Sequence, residues 1–207
     1  MKKLLCAALL FTLTTLTACS SVTAYTNIRD GFTLEYRQNT WAVIDSSIME
    51  SDSAAVSEFF TYSTESTRDI VEQQLEAVSS IFLSKSDGIK SSIDISITHD
   101  TGGKMAHLRS GEQMQELEDY YVSAFEPLVS DLVVSQAARI ETYGKLDFLV
   151  LQMDYSLDEL SFRRFQAVAI DDSDGDMVFF TFVIPMEDYD RYKSDIDVML
   201  KSFKFIG

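Results

Sequence analysis

Thiols are nearly absent from this chain. Its 207 residues include two cysteines, Cys6 and Cys19, and none beyond residue 19. From residue 20 onward there can be no disulfide, no thiolate metal site and no cysteine nucleophile. Histidine is equally scarce: only His99 and His107 are present, with Gly102-Gly103 between them. Two histidines leave any zinc site to lean on carboxylates. No His-x-x-x-His, Gly-x-Ser-x-Gly or Walker-type loop occurs, so no catalytic residue or cofactor loop can be assigned from motifs. His99 precedes Asp100, but sequence neighbours point apart, and both histidines read as loop residues. Positive charge is also short, with 17 Lys and Arg against 33 Asp and Glu and a net charge of −16. Such a surface repels nucleic acid and anionic headgroups. It reads as solubility, or as complementarity to a cationic partner or divalent ions. Low-complexity tracts and internal repeats are missing. The apolar run from Leu4 to Leu16 is shorter than the ~20 residues that a bilayer-crossing helix needs.

What the N-terminus does contain is ordered. Lys2 and Lys3 precede the uncharged run Leu4 to Leu16, and small residues then lead to Cys19. That is the order of a secretory signal. Leu16-Thr17-Ala18-Cys19 resembles the lipobox of bacterial lipoproteins. The resemblance implies cleavage before Cys19, diacylglycerol on its sulfur and acylation of its new amino group. Two or more chains make a stable anchor where one is marginal. In bacterial lipoproteins an aspartate after the cysteine commonly signals inner-membrane retention. Ser20 stands there, so the resemblance favours the outer membrane.

Residues 1–18 therefore read as a signal peptide, 19–30 as a lipidated tether and 31–207 as one globular domain. Cleavage leaves 189 residues, enough to bury a core without staples. Phe32, Leu34 and Tyr36 alternate, and Trp41-Ala42-Val43-Ile44 follows a polar turn, which predicts a hairpin. Trp41, the only tryptophan, reads as a core anchor. Glu58 to Tyr62 could be a strand. Ser66-Thr67-Arg68-Asp69 has the form of a capping box, and Val71, Leu75, Val78 and Phe82 recur at helical spacing, which predicts a helix over about 67–83. Ile93, Ile95 and Ile97 alternate with Asp94, Ser96 and Thr98 as a half-buried strand. A second capping box at Ser110 to Gln113 opens a helix that Pro127 closes. From Leu132 to Ile184 the period is two, and four strands are expected at about 132–142, 146–155, 162–171 and 176–184. Tyr143-Gly144-Lys145 and Asp172-Ser173-Asp174-Gly175 carry tight-turn chemistry. The run Met177 to Ile184 is apolar on both faces, as expected of a central strand covered on both sides. Pro185 opens a last helix with Tyr189, Tyr192, Ile196, Met199 and Phe203 on its buried face. The implied architecture is α+β, an antiparallel sheet between helical layers.

Phe32-Thr-Leu-Glu-Tyr followed by Trp41, the two-sided strand before Pro185, Tyr189 and Tyr192, and the closing Lys201-Ser202-Phe203-Lys204 resemble the PsbP-like group, which includes bacterial DcrB-type lipoproteins. The resemblance spans about Gly31 to Phe205. Thr40 stands where the group usually has proline before the tryptophan. It implies an α/β/α sandwich with a central antiparallel sheet, and non-enzymatic work as a binding protein, assembly factor or adaptor. It supplies no catalytic or cofactor residues.

One local feature is sharp: Asp171-Asp172-Ser173-Asp174-Gly175-Asp176. Calcium favours clustered hard oxygens, which makes Asp172, Asp174 and Asp176 candidate ligands. The segment lacks the downstream glutamate of an EF-hand, and Asp-Gly is also hairpin-turn chemistry. The expected function is that of an envelope lipoprotein held to the membrane through Cys19 and working on an envelope protein partner. A carboxylate-based envelope hydrolase and a calcium-binding lipoprotein are the alternatives.

Overall fold

The computed structural model describes residues 21–51, 53–61 and 71–206. Cys19 and the targeting segment, and the Ser66 to Asp69 capping box, lie outside the described residues. In chain order the elements are β1 (Val22–Asn27), β2 (Phe32–Arg37), β3 (Trp41–Ile44), α1 (Ser46–Ser51), α2 (Ser53–Thr61), β4 (Ser80–Ser84) and β5 (Gly88–Thr98). A 3-10 turn (Met105–Arg109) leads to α3 (Gly111–Phe125), β6 (Ser130–Tyr143), β7 (Leu146–Leu157), β8 (Leu160–Ile170), β9 (Met177–Pro185), α4 (Tyr189–Ser202) and β10 (Lys204–Phe205).

Two antiparallel sheets result. The large one has the order β3-β4-β5-β9-β8-β7-β6, and the small one β1-β2-β10. β9 is the central strand, as its two-sided apolar pattern requires. Val178, Phe180, Phe182 and Ile184 are fully buried on one face of β9. They pack with Tyr192, Ile196, Met199 and Phe203 from α4 and with Phe32, Leu34 and Tyr36 from the small sheet in one core. The chain turns back at Pro185 with almost no linker, so α4 must cross the sheet it has just left. On the opposite face α3 and the 3-10 turn cover β6 to β8, with Met105, Leu149, Val168, Tyr121, Leu151 and Met153 buried beneath them. Phe59 of α2 and Val71 cover Ile44, Ile81 and Leu83 on β3 and β4.

The N-cap of α3 forms as its sequence suggests: Ser110 Oγ accepts from the Gln113 backbone N–H at 3.2 Å. The four-strand meander also matches its expected limits within a few residues. Five expectations need correction. The polar stretch read as a tether contains β1, with Tyr25 and Asn27 buried and every residue of the strand paired to β2. Folded structure is thus present from Val22, upstream of the expected boundary at Gly31. β2 and β3 are not a hairpin: β2 joins the small sheet, while β3 pairs with β4. The turn chemistry at 37–40 is real, with Thr40 N–H donating to Arg37 O at 2.9 Å, but a turn does not choose its strands' partners. Glu58 to Thr61 is helical, inside α2. The helix expected to Leu83 is helical only over 71–74 among the described residues, and 80–84 form β4. Val78 and Phe82 keep a helical spacing by coincidence. Ile81 and Leu83 actually face one side of the sheet and Phe82 the other, so all of β4 is buried. Finally, Pro185 closes β9, and α4 starts at Tyr189 after a short turn.

Truncating Phe180 to alanine empties the centre of the core and should cost ~3–5 kcal/mol in denaturant unfolding. Thr181→Ala on the opposite face should cost about 1 kcal/mol, because it loses mainly the Thr181–Gln166 hydrogen bond of 2.9 Å. Equal costs, or hydrogen exchange in β9 as fast as at Val22, would contradict this placement.

Candidate functional site

The antiparallel pairings gather the strand ends at two poles of the molecule, and the two poles differ. At one pole the β6–β7 turn packs on the end of α4. Gly144 adopts φ +61°, and a Cβ there would lie 2.3 Å from Lys201 O, so both the turn geometry and the close approach need glycine. This contact places Lys145, Leu146 and Asp147 opposite Phe203, Lys204 and Phe205. The 3-10 turn forms the third wall, held by Met105 N–H donating to Asp172 Oδ1 at 2.7 Å and by Lys104 Nζ on the Asp172 carbonyl. Between the walls runs an open groove of about 520 Å³.

The groove is amphipathic. Leu146, Ile170, Phe203 and Phe205 give it apolar surface, with the Phe203 and Phe205 rings edge to face at 5.0 Å. Arg109 is spent on Asp147, which also accepts from Thr142 Oγ1 at 2.6 Å. Lys145 and Lys204 make no ion pair among the described residues and are exposed. A smaller, polar groove of about 300 Å³ lies along β6 to β8 beside α4. Its charges are largely engaged: Arg139 with Glu141, and Arg163 with both oxygens of Asp154 at 2.7 Å. A carboxylate already bound to a guanidinium is a poor general acid.

The acidic turn stands beside the large groove and is built as a turn. Gly175 adopts φ +84°, its N–H donates to Asp171 O at 2.8 Å, and Asp171 N–H donates to Asp176 O at 2.7 Å. The three candidate carboxylates serve three different partners. Asp172 accepts from Met105 N–H, Asp174 from Asp176 N–H at 3.2 Å, and Asp176 from Asp100 N–H at 3.1 Å while pairing with His99 Nδ1 at 2.7 Å. Among the described residues no three metal-ligating side chains converge. Burial pushes the Asp176 carboxyl up, but His99 and the Asp100 N–H outweigh it and hold the group below the usual carboxylate range. His99 thus finds its acid on the far side of the sheet turn rather than in Asp100. His107 sits apart, exposed on the 3-10 turn.

Sequence reasoning missed a charged site on the outer sheet face. Strand register aligns Asp94 with Thr181 and Thr181 with Gln166, and Arg164 lies one row away opposite Val183. Arg164 is half-buried against α3, its guanidinium 4.2 Å from the Phe125 ring centroid, and its buried Nε has no hydrogen-bond partner. Asp94 forms no ion pair among the described residues. Burial pushes its carboxyl up to about 6, against the opposing pull of Arg164. The alternation of Ile93, Ile95 and Ile97 had placed Asp94 on a wet face. The signal that could have found the site is an arginine inside a strand otherwise committed to the core.

A carboxyl raised above its unfolded value binds its proton more tightly when folded. Its contribution is present below about pH 4 and is lost as the pH rises through about 6. Asp94→Asn should therefore be more stable than the parent at pH 7, by ~1–3 kcal/mol, and the gap should close at pH 4. Urea unfolding at both pH values checks this, and a gap independent of pH would refute the burial of Asp94.

No protein-family model matches the sequence, and no curated protein does. Solved structures do match. The solution structure of cyanobacterial PsbP (CyanoP) from Synechocystis sp. PCC 6803 aligns over 90% of this chain and 93% of that one, with a TM-score of 0.58 at 13% identity. The crystal structure of LpqN, involved in cell envelope biogenesis of Mycobacterium tuberculosis, aligns over 90% and 91%, with a TM-score of 0.53 at 12% identity. Sheet order, helical layers and these near-complete alignments agree: the chain has a PsbP-like α+β fold.

Proposed function

We propose that this chain is a lipid-anchored envelope protein, attached through Cys19 and favouring the outer membrane, that works by binding a protein partner as an adaptor, assembly or stability factor. The observation that carries the reading is the position of the amphipathic groove. It opens at the pole where β6 ends and β10 closes the chain, opposite the pole where β1 begins, two residues after Ser20. A protein tethered at the pole where β1 begins would present the groove away from its membrane. The lipobox-like Leu16 to Cys19 and the likeness in fold to a protein of envelope biogenesis support the same reading.

Net charge alone suggested a cationic partner. The groove's rim favours a segment that brings apolar side chains to Phe203 and Phe205 and a carboxylate to Lys145 or Lys204. Asp171 and Asp172 stand on the opposite wall, and Asp147 is held by Arg109, so among the described residues the free cations are on the Lys145 and Lys204 side. No helix among the described residues is long and apolar enough to cross a membrane.

Two measurements test the proposal. Growing cells fed a clickable fatty acid should label the parent protein and not Cys19→Ala; equal labelling would remove the anchor. Detergent-solubilised membranes probed with the lipidated protein should lose a captured partner when Lys145 and Lys204 are both changed to Glu, and keep it with Leu128→Glu at the opposite pole. Capture indifferent to the groove substitutions would remove the groove from the binding surface.

A further inference from the structure

The pole beside the anchor has its own chemistry. Pairings Val22 with Arg37, Trp41 with Ser84, Ser84 with Gly88, Phe162 with Pro185 and Leu157 with Leu160 bring these strand ends to one edge. Along that edge stand large apolar side chains in water: Val22 at 45% exposure, Ile89 at 44%, Met186 at 42%, Leu160 at 38%, Leu157 at 45% and Leu128 at 69%. Ile89, Met186, Leu160, Leu157 and Leu128 belong to the adjacent ends of β5, β9, β8, β7 and β6. At strand spacing they make a fringe ~20 Å long. The groove pole exposes only Ile28 and Ile206 in this class among the described residues.

We infer that this apolar strand-end edge rests in the headgroup layer of the bilayer that holds the anchor. The inference depends on the Cys19 anchor proposed above. Gln38 N–H donates to Ser21 O at 3.4 Å, which fixes Ser21 beside the β2–β3 turn at this same edge. Cys19 lies two residues before Ser21, and two residues reach at most ~7 Å. The edge therefore has no chain with which to leave the surface. Apolar side chains held there bury themselves at the headgroup–acyl boundary, as an interfacial helix does with its apolar face. Lys90 follows Ile89 and is exposed, and Arg191 lies close by, reaching Asp87 at 3.7 Å. Both can extend their charge to phosphate while their stems follow the apolar side chains inward.

Asp158, Glu159 and Glu187 share the edge and set its depth. Asp158 and Glu159 form the β7–β8 turn, both at positive φ, between Leu157 and Leu160. Carboxylates between the apolar residues stop the edge at the headgroups and oppose anionic lipid. The matching surface is a zwitterionic lipid layer, not an acidic one.

The test uses the lipidated protein in vesicles of zwitterionic phosphatidylethanolamine and phosphatidylcholine carrying nitroxide-labelled lipid. Because no cysteine follows Cys19, single substitutions Ile89→Cys, Leu160→Cys, Ile28→Cys and Ile206→Cys each accept one fluorophore at an exposed site. Quenching should be strong at positions 89 and 160 and weak at 28 and 206, and adding phosphatidylglycerol should not deepen it. If the protein floats with the vesicles but all four positions quench alike, the edge is not in the bilayer and the anchor stands. If the parent protein floats no better than Cys19→Ala, the anchor reading falls and takes this inference with it. If positions 89 and 160 are unquenched in vesicles yet shielded from labelling in native membranes, the edge belongs to a protein partner and the inference is overturned.

Discussion

Asp195 holds the two sheets and the last helix together. It sits on α4, almost wholly buried, and accepts from Trp41 Nε1 at 2.8 Å and from the Arg37 guanidinium. Trp41 opens β3 in the large sheet, and Arg37 closes β2 in the small one. Only a three-residue turn separates them, so this carboxylate bridges the point where the chain passes between sheets. A buried carboxylate is costly unless its oxygens are satisfied, and here each oxygen has its own donor. The arrangement also sets α4. Its Tyr192 packs 5.0 Å from the Trp41 ring and donates to the Asp87 carboxylate, with Ser84 and Ser86 hydroxyls at 2.7 and 2.9 Å. Loss of Asp195 would leave the Trp41 N–H without its acceptor and the half-buried Arg37 guanidinium with only Ser194 Oγ, at 2.6 Å.

With α4 fixed, the two faces of the large sheet diverge. The α4 face is continuous core from Phe82 on β4 to Phe148 on β7. The other face is covered in two separate patches, one under α3 and one under α2 and Val71. Between the patches the sheet carries a polar row, Asp94, Thr181 and Gln166, with Arg164 beside it under α3. That is why Phe179 and Val183 are only half-buried although their strand is apolar throughout. Arg164 tolerates the interior because aromatic rings of α3 take the place of water at its guanidinium.

What the sequence made legible follows from how local each signal is. The meander, its turns, α3 and the buried stripe of α4 depend on residues within one or two turns of each other, and they emerge with nearly correct limits. Trp41 as a core anchor is a matter of side-chain size and is equally plain. The misread elements all turn on long-range choices. β1 looks like a polar tether until β2 pairs with it and Tyr25 reaches Ser80 Oγ at 2.7 Å, 55 residues away. β4 imitates a helix because Val71, Leu75, Val78 and Phe82 share a spacing by accident, and only pairing with β3 and β5 settles its form. The large groove was illegible for the same reason: its walls come from the 3-10 turn, the β6–β7 turn and the C-terminal residues 203–205, and no one stretch carries its pattern.

The strand count gives the molecule its polarity. Strands of an antiparallel sheet deliver their ends alternately, so an element's pole is decided by whether it is entered or left there. β1 is entered at the pole of Val22, and the meander, entering β6 at that same pole, must leave it at Tyr143 on the opposite one. The β6–β7 turn, the end of β8 and the final residues after α4 therefore collect far from Ser21. Adding or deleting one strand between β1 and α4 would bring the C-terminal residues back beside the N-terminal pole and merge two surfaces of different chemistry. As built, exposed aliphatic side chains crowd one pole, while aromatic groove walls with two exposed lysines crowd the other. Topology alone thus separates the surface nearest the proposed anchor from the surface proposed for a partner.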